Sequence, residues 1–140
     1  LEEYFMIANQ HVHVLDEFNN FMEEEIYQMM VATTEDQDEL ILENTTTLKV
    51  ARWWNRACDI IPCNGGKDIG IQKILDYFNF NKEEAMAFGD GGNDISMLKY
   101  VGTGVAMGNA KDNVKAIADY ITDSVQEDGI VSALKHFEIL

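Results

Sequence analysis

The sequence predicts an α/β fold, and three observations carry that reading. Residues 67–140 alternate amphipathic helical stretches with short apolar runs, joined by short connections, which is the pattern of a parallel sheet covered by helices. All ten glycines lie at position 65 or later, so the chain changes character near Pro62 to Gly66, where a boundary between structural units is expected. Charge divides at the same place: residues 1–66 hold 13 acids and 3 bases and residues 67–140 hold 12 and 7, so the acidic excess belongs mainly to the first unit. Residues 1–62 are accordingly expected to form one unit and residues 63–140 another.

In the first unit, Val14 to Glu24 carries Leu15, Phe18 and Met22 at helical spacing. Ile26 to Thr33 reads as a strand. Thr34 to Glu43 opens with an acidic turn that suits a helix N-terminus. Thr46 to Trp54 alternates as a strand, with Leu48, Val50, Arg52 and Trp54 on one face, and Cys58 to Ile61 is a short strand ended by Pro62. Elements this short cannot bury their faces alone, so the unit is expected to pack on structure outside the chain. In the second unit, Ile71, Ile74, Leu75 and Phe78 repeat at helical spacing within Asp68 to Phe78. Asn81 and Glu84 form a capping box for a short turn. Ala85 to Phe88, Gly104 to Met107 and Tyr120 to Thr122 are brief buried strands. Asp94 to Tyr100, Asp112 to Ala118 and the stretch holding Ile130, Ala133, Leu134 and Phe137 are helices.

Composition excludes several functions. With 140 residues and a net charge of −15, the chain is a poor binder of phosphate backbones or anionic membranes, both of which need Lys and Arg. No stretch approaches the roughly 20 apolar residues of a membrane span. Leu1 is not an initiator Met, and the first eight residues carry two glutamates where a signal peptide carries positive charge, so a missing or processed start is expected. Cys58 and Cys63 suit neither a zinc site nor a disulfide framework; free thiols in the cytoplasm are expected.

The chemistry concentrates at Gly89-Asp90-Gly91-Gly92-Asn93-Asp94, between a buried strand and a helix. Asp90 falls at the carboxyl end of a strand, where ligands bind in parallel sheets. Gly91 and Gly92 let the backbone turn sharply and approach a ligand. Asn93 suits a helix cap or a hydrogen bond to a phosphate oxygen. Asp90 and Asp94 together suit a hard cation such as Mg2+. The same residues also suit an Asn/Asp-rich turn with helix capping. Lys67 opens a helix, the end at which the macrodipole disfavours a cation, which invites an anion there; Asp68 offers a local counter-charge instead.

Taken together, Lys67 and Gly89-Asp90-Gly91-Gly92-Asn93-Asp94-Ile95-Ser96-Met97-Leu98 resemble the third and fourth motifs of the haloacid dehalogenase-like phosphatase superfamily. Gly104 to Ala110, Ala118 to Thr122 and Asp128-Gly129-Ile130 extend the resemblance through most of residues 60–140, toward the Cof-type branch. The resemblance implies a doubly wound parallel-sheet core, present in part (63–140), with the later part of an inserted α/β cap (1–62). It implies a Mg2+-dependent phosphatase of small phosphorylated metabolites, including sugar phosphates, working through an aspartyl-phosphate. Asp90 would be a metal ligand, Asn93 would contact the phosphate, and Lys67 would hold the phosphoryl oxygens. Asp94 would orient Lys67 or a metal-bound water. A phosphomutase or phosphotransferase on the same scaffold, or a non-catalytic phosphometabolite-binding module, would keep these residues.

The family's nucleophile motif, Asp-x-Asp-Gly-Thr, does not occur ahead of Lys67, nor does the second motif's Ser/Thr strand. Asp36-Gln37-Asp38 has the spacing but lies in a polar, helix-like run without Gly-Thr after it. The chain is therefore expected to be the C-terminal part of a longer phosphatase, completed by a missing N-terminal part and inactive alone. Other features have plainer readings. Gly102-x-Gly104-x-x-x-Gly108 precedes a strand, unlike a dinucleotide loop. His11-Val12-His13 suits a strand or turn more than a metal, and Glu23-Glu24-Glu25 a solvated helix end. Trp53 and Trp54 suit either a sugar face or the core. Arg52 and Arg56 suit surface ion pairs, or a phosphate ester if they face a cleft.

Overall fold

The computed structural model describes residues 25–140. The expected helix over 14–24, the His11/His13 pair and Glu23-Glu24 lie outside the described residues.

Three strands in the first unit pair with one another: β1 (Met29–Val31), β2 (Leu48–Trp54) and β3 (Ala57–Pro62) form an antiparallel sheet in the order β1-β3-β2. A two-residue loop, Asn55-Arg56, joins β2 to β3. Ala51 stands opposite Asp59, which in turn stands opposite Met30; Lys49 stands opposite Ile61. These residues therefore share one face of the sheet. Leu48, Val50 and Arg52 share the other face, as the alternation predicts. The register then shifts between Arg52 and Trp54. This irregularity lets the neighbouring indoles of Trp53 and Trp54 stack, with centroids 6.4 Å apart, where regular alternation would set them on opposite faces.

β1 is shorter than the expected strand over 26–33. Met29 already faces Ile60, so Tyr27 would face Pro62, which has no N–H to donate, and the ladder stops. The helix expected over 34–43 is a 3-10 turn at Glu35–Gln37 followed by α1 (Asp38–Leu42). Arg52 fastens α1 to the sheet: its guanidinium pairs with Asp38 and donates to the Thr33 carbonyl oxygen at 2.8 Å.

The second unit holds β4 (Met86–Gly89), β5 (Thr103–Ala106) and β6 (Tyr120–Ile121), all parallel, in the order β4-β5-β6. Helix α2 (Lys67–Phe78) precedes them, α3 (Ile95–Tyr100) and α4 (Asp112–Lys115) make the crossovers, and α5 (Gly129–His136) follows. The predicted alternation is thus present, with α4 shorter than expected because Ile117 N–H bonds back to Val114 O in a tight turn. The core is Ala87, Leu98, Val101, Ala106, Ala110 and Val114. The apolar stripe of α2 is only partly covered: Ile71 packs on the core, while Ile74 and Phe78 are 61% and 59% exposed. Among the described residues, no helix is long and apolar enough to cross a membrane.

The two sheets meet near the end of β2. A 3-10 turn at Gly92–Asp94 follows β4, and a Cβ at Gly92 would stand 2.5 Å from the Arg52 carbonyl oxygen. Glycine is required here for close approach of a strand rather than of a ligand. Lys111 Nζ adds a second tie, donating to the Trp53 carbonyl oxygen at 3.3 Å.

Candidate active site

β4 ends at Gly89, which sets Asp90 just beyond the strand's carboxyl end. The chain then folds back so that the N–H groups of Asp90 and Gly91 both donate to Asp94 Oδ2, each at 3.0 Å. The other oxygen, Asp94 Oδ1, accepts from Lys67 Nζ. Asp94 is 5% exposed. Burial alone would raise its pKa; the Lys67 ammonium and the two backbone donors outweigh that and hold the carboxyl below its ordinary range. Both Asp94 oxygens are thus engaged, and Asp90 is the carboxylate of the pair left exposed.

Lys67 is placed by Gly66, whose φ of +128° is open to glycine and rarely to other residues. Half of the Lys67 side chain is exposed, so an ammonium with three donors keeps capacity beyond Asp94. The neighbouring Asp68 is engaged elsewhere, since Ser96 Oγ donates to its Oδ1 at 3.2 Å and ties the start of α2 to α3.

Asn109 joins the site although sequence reasoning gives it no role. Its Nδ2 donates to Asp90 Oδ2 at 2.9 Å, and its Oδ1 accepts from Val125 N–H at 3.1 Å. The signal was present: Asn109 follows the carboxyl end of β5, as Asp90 follows that of β4.

Two adjoining cavities open between the sheets. One, of about 570 Å3, is lined by Lys49, Ala51 and Asp59 from the first sheet and by Lys67, Asn93 and Ser96 from the second unit. The other, of about 530 Å3, is lined by Trp53, Asp59, Lys67, Asp90, Asn93 and Asn109 among others. The four residues singled out from the sequence, Lys67, Asp90, Asn93 and Asp94, all line this second cavity. Trp53 lines it too. Arg52 lines the first cavity and pairs its guanidinium with Asp38, and the Arg56 guanidinium lies 5.6 Å from the Trp54 ring centroid. Asp36 and Asp38 lie in the 3-10 turn and in α1, and line neither cavity. Gly104 is part of β5, as its place before an apolar run predicts. Cys58 is buried, Cys63 is exposed, and both are free thiols. Among the described residues, no group of three or more His, Cys, Asp or Glu side chains is placed to hold a metal ion.

A sequence profile for haloacid dehalogenase-like hydrolases matches residues 2–134. The protein named "Putative phosphatase YkrA" from Bacillus subtilis (strain 168) is 40% identical over 116 residues, which are 83% of this chain and 45% of that protein. The 5-amino-6-(5-phospho-D-ribitylamino)uracil phosphatase YitU of the same organism is 44% identical over 89 residues, 61% of this chain and 33% of that one. The solved structure of a HAD subclass IIB sugar phosphatase superposes with a TM-score of 0.89 at 39% identity, over 99% of this chain and 54% of that one. The chain therefore spans about half the length, or less, of these relatives.

Proposed function

The chain belongs to the haloacid dehalogenase-like hydrolases, and from that premise we propose that it forms part of a Mg2+-dependent phosphatase. Its substrates are small phosphorylated metabolites, sugar phosphates among them, and its route runs through an aspartyl-phosphate. The observation that supports this most is the convergence of Lys67, Asp90 and Asn93 on one cavity at the carboxyl end of β4. In this reading residues 63–140 are the later part of the catalytic core and residues 1–62 the later part of a cap that closes over it. The nucleophilic Asp is supplied by polypeptide outside these 140 residues, since no Asp-x-Asp-Gly-Thr precedes Lys67. The protein works in the cytoplasm, where free thiols persist.

The donor set fits Mg2+ in part. That ion takes one or two carboxylates and fills its remaining positions with water and phosphate oxygens. Asp90 offers one carboxylate, exposed to the cavity and steadied by Asn109. When bound, Mg2+ neutralises charge on the phosphoryl oxygens. The chain's own residues supply the rest. Lys67 presents its ammonium to the phosphoryl group and stabilises charge that grows in the transition state. Asp94 keeps that ammonium charged and fixed. Asn93 donates a hydrogen bond to a phosphate oxygen.

The test is phosphate release from a panel of sugar monophosphates by the protein that carries this chain together with its upstream coding sequence. Mg2+-dependent release is expected, and Lys67→Ala is expected to lower kcat/KM by about a hundredfold or more. Isomer formation in place of phosphate release would reveal a mutase. Release unchanged in Lys67→Ala would refute the assigned role.

A further inference from the structure

Three neighbouring parallel strands of the second unit end on the same side, and one side chain ties the segments that follow them. Asp90 follows β4, Asn109 follows β5 and Val125 follows β6. Asn109 donates from Nδ2 to Asp90 Oδ2 at 2.9 Å and accepts at Oδ1 from the Val125 N–H at 3.1 Å. The second bond decides which way the amide faces. A backbone N–H can only donate, so it takes the carbonyl end and turns the NH2 end toward the carboxylate. The backbone on either side of Asn109 is held as well. Met107 N–H donates to the Gly89 carbonyl oxygen at 2.9 Å, Gly108 N–H to that of Asp123 at 3.0 Å, and Ala110 N–H to that of Met107 at 2.8 Å. The Val125 bond alone would tie the segments after β5 and β6 together; the other end of the amide goes on to Asp90.

We propose that Asn109 is a positioning residue: it holds the Asp90 carboxylate ready for a divalent cation, with the Val125 N–H as its anchor. This deepens the Mg2+ reading above and rests on it. Mg2+ demands near-ideal octahedral geometry and gives up its water reluctantly, so a carboxylate that swings freely suits it poorly. Asp90 is exposed and lines the second cavity, where an unheld side chain would lose its rotamer freedom on meeting the ion. Asn109 removes that freedom beforehand. Its hydrogen bond uses one of the roughly four lone-pair sites of the carboxylate and leaves the others for the ion. Groups that orient a metal ligand in this way govern metal affinity by about ten- to a hundredfold.

The experiment measures Mn2+ binding to the full-length protein carrying this chain, through the electron paramagnetic resonance signal of the free ion. Wild type, Asp90→Ala, Asn109→Ala and Val125→Pro are compared, and Mg2+ activation of phosphate release is measured beside them. Val125→Pro deletes the anchoring N–H with little strain. Val125 is exposed and opens a 3-10 turn, where proline is tolerated, and Ser124 before it is already extended at φ −69° and ψ 166°. Asn109→Ala is expected to raise the Mn2+ Kd, and the Mg2+ concentration for half-maximal activity, about ten- to a hundredfold. Its kcat at saturating Mg2+ is expected to stay within about threefold of wild type, because the filled site keeps its ligand. Val125→Pro is expected to shift both quantities in the same direction by a smaller factor. An unchanged Mn2+ Kd in Asn109→Ala would overturn the proposal. So would a fall in kcat at saturating Mg2+ with no change in Kd, the mark of a structural role. If Asn109→Ala does not fold, Val125→Pro decides: weaker Mn2+ binding supports the proposal and unchanged binding overturns it. Mn2+ binding that survives Asp90→Ala, or a wild type that binds no metal, would refute the reading of Asp90 as a ligand, and the role of Asn109 with it. A wild type that binds Mn2+ through Asp90 and releases no phosphate would refute the phosphatase reading, and the Mn2+ Kd values would still decide the role of Asn109.

Discussion

At the scale of single residues, the site depends on a carboxylate that is buried and yet ionised. Asp94 tolerates burial because Lys67 and two backbone N–H groups stabilise its charged form. Asp94→Asn is expected to cost about 2 kcal/mol at pH 7, the scale of hydrogen bonds to a charged group. The pH dependence follows from the sign of the shift. The folded-state pKa of Asp94 lies below its unfolded value of 3.8, so its contribution is complete above that value and is lost as pH falls through the lower, folded one. The gap in urea midpoint between wild type and Asp94→Asn is therefore expected to narrow below about pH 4; a gap that is the same at pH 7 and at pH 3 would contradict this account. That Asp90, Asn93 and Lys67 would lie at strand ends and helix starts was legible in the sequence because glycine turns and a lysine at a helix start are local signals, and they line one cavity. The places of Asp59 and Asn109 were not. Asp59 stands in the apolar run Ala57-Cys58-Asp59-Ile60-Ile61, and the charge in that run is its one local sign. Whether such a carboxylate faces a cavity depends on register with two other strands, which spacing along one segment does not reveal.

At the scale of elements, two glycines with opposite surroundings test the packing. A Cβ at Gly92 would stand 2.5 Å from the backbone oxygen of Arg52, which cannot swing aside as a side chain can. Gly92→Ala is expected to destabilise by about 1–3 kcal/mol and to push the end of β2 away from the turn that positions Asn93 and Asp94. Gly70 lies within α2, exposed, and a Cβ there would meet no atom within 4 Å. Gly70→Ala is expected to stabilise by about 0.5–1 kcal/mol through helix propensity and a less flexible unfolded chain. Thermal melts of both variants check the pair, and a Gly92→Ala protein as stable as wild type would show that the two sheets do not meet as described. The parallel sheet was readable because each strand and helix follows in chain order. The antiparallel sheet was harder: its central strand is the last in sequence, and the irregularity at Arg52 to Trp54 arises from pairing, not from any turn residue.

At the scale of the whole molecule, both sheets contribute to the lining of the two cavities. Lys67, Asp90 and Asn93 come from the starts of helices and the end of a strand in the second unit; Lys49, Trp53 and Asp59 come from the first. The close approach at Gly92 to Arg52 and the Lys111 to Trp53 hydrogen bond tie the segments that line the cavities. Ile74, Tyr77 and Phe78 leave an exposed apolar side on α2. The central claim is that Asp90 holds the metal and Lys67 with Asn93 holds the phosphoryl group. It is tested most directly by a crystal structure of the full-length protein with Mn2+ in place of Mg2+ and vanadate in place of phosphate, using anomalous scattering to locate the metal. The account predicts the metal against the Asp90 carboxylate and the oxyanion within hydrogen-bond reach of Lys67 Nζ and Asn93, with both lost in Asp90→Ala. A metal bound away from Asp90, or a metal that persists there in Asp90→Ala, would contradict it.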